Sequence, residues 1–198
     1  MRFLFLPLIV ITFLSSGQHT EVDFTADIKS DFELVNYGFS LSHLLDSLKL
    51  EKTDLKIVVS KSKYLLFVVK DNLIVKSYPV VFGFNAIDDK LREGDGATPE
   101  GIFKIRAMYP HRYWSKFIWF DYPNELSWVK HRKAKKQGAI PVNSSIGGEV
   151  GIHGVPIGSD YAIDQKQNWT LGCVSLKNKD IDEIYKFVFV GMEIEIFK

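Results

Sequence analysis

The spacing of apolar positions changes along the chain, and each change marks an element. Leu41, Leu44, Leu45 and Leu48 recur at helical intervals, which predicts a short amphipathic helix inside a polar-flanked segment, 18–53. From Lys56 the period shortens. Ile57-Val58-Val59 and the run 64–69 read as strands, with turn chemistry at 60–63 and again at Asp71-Asn72. Leu73-Ile74-Val75 and Tyr78-Pro79-Val80-Val81-Phe82 continue this meander until Gly83. Gly94-Asp95-Gly96-Ala97-Thr98-Pro99-Glu100-Gly101 is a loop of turn residues that leads into a strand at 102–105. Between 109 and 128 the aromatics Tyr109, Tyr113, Trp114, Phe117, Trp119, Phe120, Tyr122 and Trp128 are too irregularly spaced to form one face. The dense charge run 130–136 reads as a solvated helix face, with guidance of an anionic polymer as the weaker alternative. Asn178 is placed to N-cap a helix over 179–189 that buries Ile181, Ile184, Tyr185 and Val188. Gly191 breaks that helix, and 192–197 alternates as a closing strand. The pattern predicts a mainly β fold with a few helices, one domain over 54–198, and 18–53 as an extension packed onto it.

Composition narrows the class. At 198 residues and 46% hydrophobic the chain can fill one core. A net charge of +1 gives no reason to expect nucleic acid as a partner. Residues 1–17 read as a signal peptide: Arg2 is a positive n-region, 3–14 an apolar stretch, and Ser15-Ser16-Gly17 supplies small residues for cleavage. The apolar stretch is shorter than the roughly twenty residues a membrane span needs; an uncleaved anchor is the alternative. The five histidines, at 19, 43, 111, 131 and 153, show no metal-ligand spacing, so neither metal nor cofactor is expected.

Export gives weight to the single cysteine, because exported proteins commonly use cysteines in pairs. Cys173 is an intermolecular bridge, an inert buried hydrophobe or a reactive thiol. Its neighbours favour the last. An imidazole can ionise a thiol, and His153 lies twenty positions upstream between Gly151-Ile152 and Gly154. The Gly154 carbonyl is placed to hold one ring nitrogen and fix the tautomer. In Thr170-Leu171-Gly172-Cys173, glycine permits a tight turn whose backbone N–H groups suit an oxyanion. As pattern alone, a Cys and a His twenty apart is weak, and a buried structural histidine is the default.

Ile152-His153-Gly154 followed by Thr170-x-Gly172-Cys173-Val174 resembles the signature of L,D-transpeptidases of the YkuD type. Tyr78-Pro79-Val80 before Gly83, Ala97-Thr98-Pro99-x-Gly101-x-Phe103 and Asp121-Tyr122-Pro123-Asn124 extend the resemblance in the family's order. It implies a β-sandwich-like catalytic domain with Cys173 as nucleophile and His153 as general base and acid. The N–H groups of Gly172, Cys173 and Leu171 would form the oxyanion hole, with Thr170 and Gly154 orienting the two centres. It further implies acyl transfer on peptidoglycan stem peptides through a thioester, in the periplasm or cell envelope, during cell-wall biogenesis and shaping. The acceptor would be a neighbouring stem or a lysine of an outer-membrane lipoprotein. Water as acceptor would make the enzyme a carboxypeptidase or wall-cleaving hydrolase, and a silent wall-binding protein is the non-enzymatic alternative. Two positions depart from the family: Leu171 stands where the commonest motif has histidine, and Ser175 where arginine or asparagine is frequent. Trp169, Tyr113 and Tyr122 are candidates for the groove wall, with core packing the default for each.

Overall fold

The computed structural model describes residues 34–198; the expected signal peptide and the first part of the 18–53 extension lie outside the described residues. The meander forms as the alternation predicts. Strands β1 (Lys56–Ser60), β2 (Leu65–Lys70) and β3 (Leu73–Pro79) pair antiparallel, and Asp71 takes the positive φ of 50° that the β2–β3 turn requires. β3 runs unbroken through Lys76-Ser77, where the sequence suggested a gap. Lys76 is accommodated because its Nζ donates to Glu183 Oε2 at 2.7 Å and to the Phe39 carbonyl at 2.5 Å.

The C-terminal strand β8 (Glu193–Phe197) is inserted between β1, to which it runs parallel, and β4 (Gly101–His111), to which it is antiparallel. β4 is much longer than the expected strand at 102–105. Its first residues pair with β8; beyond a bulge between Ile105 and Ala107 it pairs with β5 (Ser115–Phe120). β6 (Gly151–His153) and the two-residue β7 (Val174–Ser175) complete one eight-stranded sheet, ordered β3-β2-β1-β8-β4-β5-β6-β7. Ile57, Val59, Leu66 and Val68 from one end share a core with Ile118, Phe120, Ile152 and Val174 from the other. The sheet thus folds about β4 and packs on itself, as a sandwich does.

The leucine stripe forms α1 (Leu41–Leu48), capped by Ser40, and buries Leu41, Leu44 and Leu45 in that same core. Helix α2 (Glu125–Lys136) is capped by Asn124 and carries the charge run, although His131 and Ala134 within the run are buried. A short α3 (Tyr161–Asp164) follows β6. The last helix, α4 (Asn178–Ile184), is shorter than the expected 179–189 and starts from Lys177, not from an Asn178 cap. The Asn178 side chain is instead turned inward against Gly154, and its backbone N–H donates to Asp160 Oδ1 at 3.2 Å.

Candidate active site

β6 and β7 run parallel, with His153 opposite Ser175. Cys173 immediately precedes β7, so this register sets it level with Gly151, two residues from His153. Cys173 and His153 both line a cavity of about 830 Å³.

His153 is 1% exposed. Its Nδ1 lies 2.7 Å from the Gly154 carbonyl, and a carbonyl only accepts, so Nδ1 carries the proton and Nε2 keeps its lone pair. Trp114 stacks on the ring at 4.4 Å, Phe117 lies parallel at 5.7 Å, and Trp169 meets it edge-on at 5.5 Å. Burial pulls its pKa down; the Gly154 bond offsets part of this, His111 adds to it, and the result is about 4. The imidazole is neutral at neutral pH. Gly154 has no room for a side chain: a Cβ would lie 2.1 Å from Asn178 Oδ1 and 2.6 Å from the Trp114 carbonyl.

Cys173 is half-buried. Its thiol donates to the Glu149 carbonyl at 3.7 Å. Burial pushes the thiol up to about 11; the Gly151 backbone and Lys90 act against this, and Glu149 reinforces it. Thr170 organises the approach: its Oγ1 donates to the Cys173 carbonyl at 2.7 Å and accepts the Gly172 N–H at 3.2 Å. With that N–H engaged, the Leu171 and Cys173 amides are the ones without a protein partner among the described residues. Gly172 has a φ of 141°, and a Cβ there would lie 2.7 Å from the Ala97 carbonyl.

Several residues of the cleft were not singled out from the sequence. Lys90, buried beside Gly172, is held by Asp95 Oδ1 at 2.9 Å and the Arg92 carbonyl at 3.2 Å. Burial alone would raise the pKa of Asp95, but the Arg92, Leu91 and Ala97 amides and Lys90 together hold it below the usual carboxylate range. Glu149 lines the cleft at a positive φ of 57°. His111 stacks on Trp114 at 4.3 Å. The only hint of Asp95 was its place between two glycines in a turn-rich loop. Of the candidate wall aromatics, Trp169 lines the cleft, Tyr122 is buried in the core, and Tyr113 is exposed outside the cavity. Thr98 shapes the site indirectly, by accepting the Gly83 N–H at 3.1 Å.

Residues 54–196 match the family described as the L,D-transpeptidase catalytic domain, YkuD. The chain belongs to that family. Among solved structures it is similar to Bd1075 of Bdellovibrio bacteriovorus, at 19% identity and a TM-score of 0.53 over 73% of this chain and 48% of that one. It is also similar to the helical cell shape determining protein Pgp2 of Campylobacter jejuni, at 18% identity and a TM-score of 0.53 over 80% of this chain and 55% of that one. The chain spans about half the length of these structures, and identities this low speak for the fold alone. No curated protein sequence matches.

Within an L,D-transpeptidase domain the two departures have separate physical meanings. Ser175 is fully buried and does not face the cleft; its hydroxyl donates at 3.2 Å to the Gly154 carbonyl, the one that holds His153. Leu171 is 75% exposed and lines the cleft, so an apolar side chain stands in its wall.

Proposed function

We propose that this L,D-transpeptidase-family domain is a cysteine-dependent acyltransferase acting on peptidoglycan stem peptides of an exported protein's environment, the periplasm or cell envelope. One observation carries the reading: the only thiol of the chain shares a cleft with an imidazole whose Nε2 lone pair is available. Cys173 Sγ attacks the carbonyl carbon of the third stem residue while its proton passes to Nε2. The carbonyl π electrons move to oxygen, which accepts from the Leu171 and Cys173 N–H groups. The tetrahedral centre collapses, the C–N bond to the terminal D-alanine breaks, and His153 returns the proton to the departing amine. A thioester remains. An amine then attacks it with His153 again as base, which forms a cross-link or attaches the acceptor, a lipoprotein lysine included, and restores the thiol.

The test uses purified protein and a stem tetrapeptide, alone and with an amine acceptor. Expected are free D-alanine and a new amide, and a mass adduct at Cys173 with a carbapenem, all absent from Cys173→Ala. D-alanine released without a new amide would redirect the reading to a carboxypeptidase. An unmodified wild-type thiol after long carbapenem incubation would refute enzymatic function.

A further inference from the structure

Helix α2 has two unlike faces. Toward the protein, Lys130 Nζ reaches Asp89 Oδ2 at 2.5 Å and the Glu100 carbonyl at 2.7 Å, and His131 Nδ1 meets the Leu91 carbonyl at 2.6 Å. These bonds fasten the helix to the loop whose Lys90 and Glu93 wall the cleft. Toward solvent, successive 100° steps place Leu126, Trp128 and Val129, the basic residues Arg132, Lys133, Lys135 and Lys136, and one carboxylate, Glu125, on one half of the helix. Leu126 is 62%, Val129 47% and Trp128 41% exposed. Arg132, Lys133, Lys135 and Lys136 take part in no ion pair among the described residues, whereas Lys130 is paired with Asp89. The outer face therefore carries three large apolar side chains and the single carboxylate Glu125 in its first turns, and four cations in its last.

Cations near a helix C-terminus suit the helix dipole, which accounts for part of the charge. It does not account for an exposed Leu, Trp and Val beside them. A polyanion in solution would engage the cations and leave the apolar trio in water. A bilayer surface satisfies both, with headgroup charge against the basic turns and the acyl boundary against the apolar ones.

We propose that the outer face of α2 is a docking surface for a bilayer rich in anionic phospholipid. Leu126, Trp128 and Val129 enter the interface, and Arg132, Lys133, Lys135 and Lys136 lie over the headgroups. Because the buried face of the helix holds the loop that walls the cleft, docking keeps the cleft close to the membrane surface. The surface is independent of the chemistry proposed for Cys173.

The test is sedimentation of the full chain with vesicles of phosphatidylcholine alone or mixed with phosphatidylglycerol. The apolar stretch 3–14 is common to every variant, so the reading is the gain on adding phosphatidylglycerol and its loss on mutation. At about fivefold in binding per basic residue, Arg132→Glu/Lys133→Glu/Lys136→Glu loses about a hundredfold or more of that gain. Leu126→Ser/Trp128→Ser/Val129→Ser loses at least tenfold. Both variants keep the wild-type melting temperature and carbapenem acylation, which separates lost docking from lost folding. A fluorophore at Val129→Cys in the Cys173→Ala background shifts to the blue with mixed vesicles. The proposal is overturned if phosphatidylglycerol gives no gain, if the charge-reversed variant binds as wild type does, or if the serine variant binds unchanged. In the last case wild type binding soluble polyphosphate equally well would assign the face to an anionic polymer.

Discussion

His153 is unprotonated in the fold because Trp114, Phe117 and Trp169 keep water from its ring, and this has a measurable consequence in acid. Its pKa falls from 6.5 to about 4 on folding. The sign follows from which state binds the proton. Above pH 6.5 the imidazole is neutral whether the chain is folded or not, and the group adds no pH dependence. Between 6.5 and 4 only the unfolded chain takes up the proton, so stability falls with falling pH at about 1.4 kcal/mol per pH unit. The loss amounts to about 3 kcal/mol by pH 4 and then levels off. The perturbation is His153→Gln, whose amide keeps a donor for the Gly154 carbonyl and has no proton to gain. Urea or thermal unfolding of both proteins from pH 7 to 4 should show wild type losing about 3 kcal/mol more than the variant, or roughly 6–12 °C in Tm. Carbapenem acylation of wild type should hold a plateau and fall only near pH 4. Parallel stability curves together with an acid limb near 6.5 would refute the desolvated imidazole.

Trp114→Ala opens one face of the His153 ring to water, and its acylation profile should show the acid limb about one pH unit higher than wild type; an unmoved limb would place the cause of the depression elsewhere. Gly172→Ala forces a Cβ onto the Ala97 carbonyl at a φ of 141°, so denaturation should show a loss of about 2–4 kcal/mol and acylation at least a hundredfold slower. Lys76→Met leaves the half-buried Glu183 with only Tyr78 and the Leu41 amide as partners. That should cost about 3 kcal/mol in urea unfolding at pH 7, and less at a pH low enough to protonate Glu183, whose pKa Lys76 now helps to lower.

Where one face of an element was buried and the period was clean, the sequence was readable. The leucines of α1, the β1–β3 meander and the alternation of β8 are of this kind. The middle was not, because its aromatics serve two surfaces at once. Phe120 and Tyr122 are buried in the core, while Tyr109, Trp114, Phe117 and Trp119 line the cleft, so no single stripe emerges and β5 went unseen. β6 and β7 are too short to show a period, and their pairing is what brings the predicted Cys173 and His153 to one cleft. A local motif could name those two residues. It could not name Lys90, whose place beside Gly172 is set by the amides gathered on Asp95 within a different loop. Nor could it say that Thr170 Oγ1 takes the Gly172 N–H, which moves the available amides to Leu171 and Cys173.

The resting charges of the pair decide how the proposed nucleophile is made. Burial holds the thiol protonated, its pKa pushed up to about 11, and the imidazole neutral, its pKa pulled down to about 4, so both groups rest uncharged. In the proposed reaction the proton leaves as the Sγ–C bond forms, so that the new oxyanion, and not the thiolate, carries the charge. That charge develops beside the Leu171 and Cys173 amides and within the field of buried Lys90, where donors already in place cost nothing to reorganise. Glu149 works in the opposite sense, holding the thiol protonated through its carbonyl and its charge until a substrate carbonyl arrives. The cleft thus favours the transition state over the ionised resting state, and its thiol stays protonated when no acyl donor is bound.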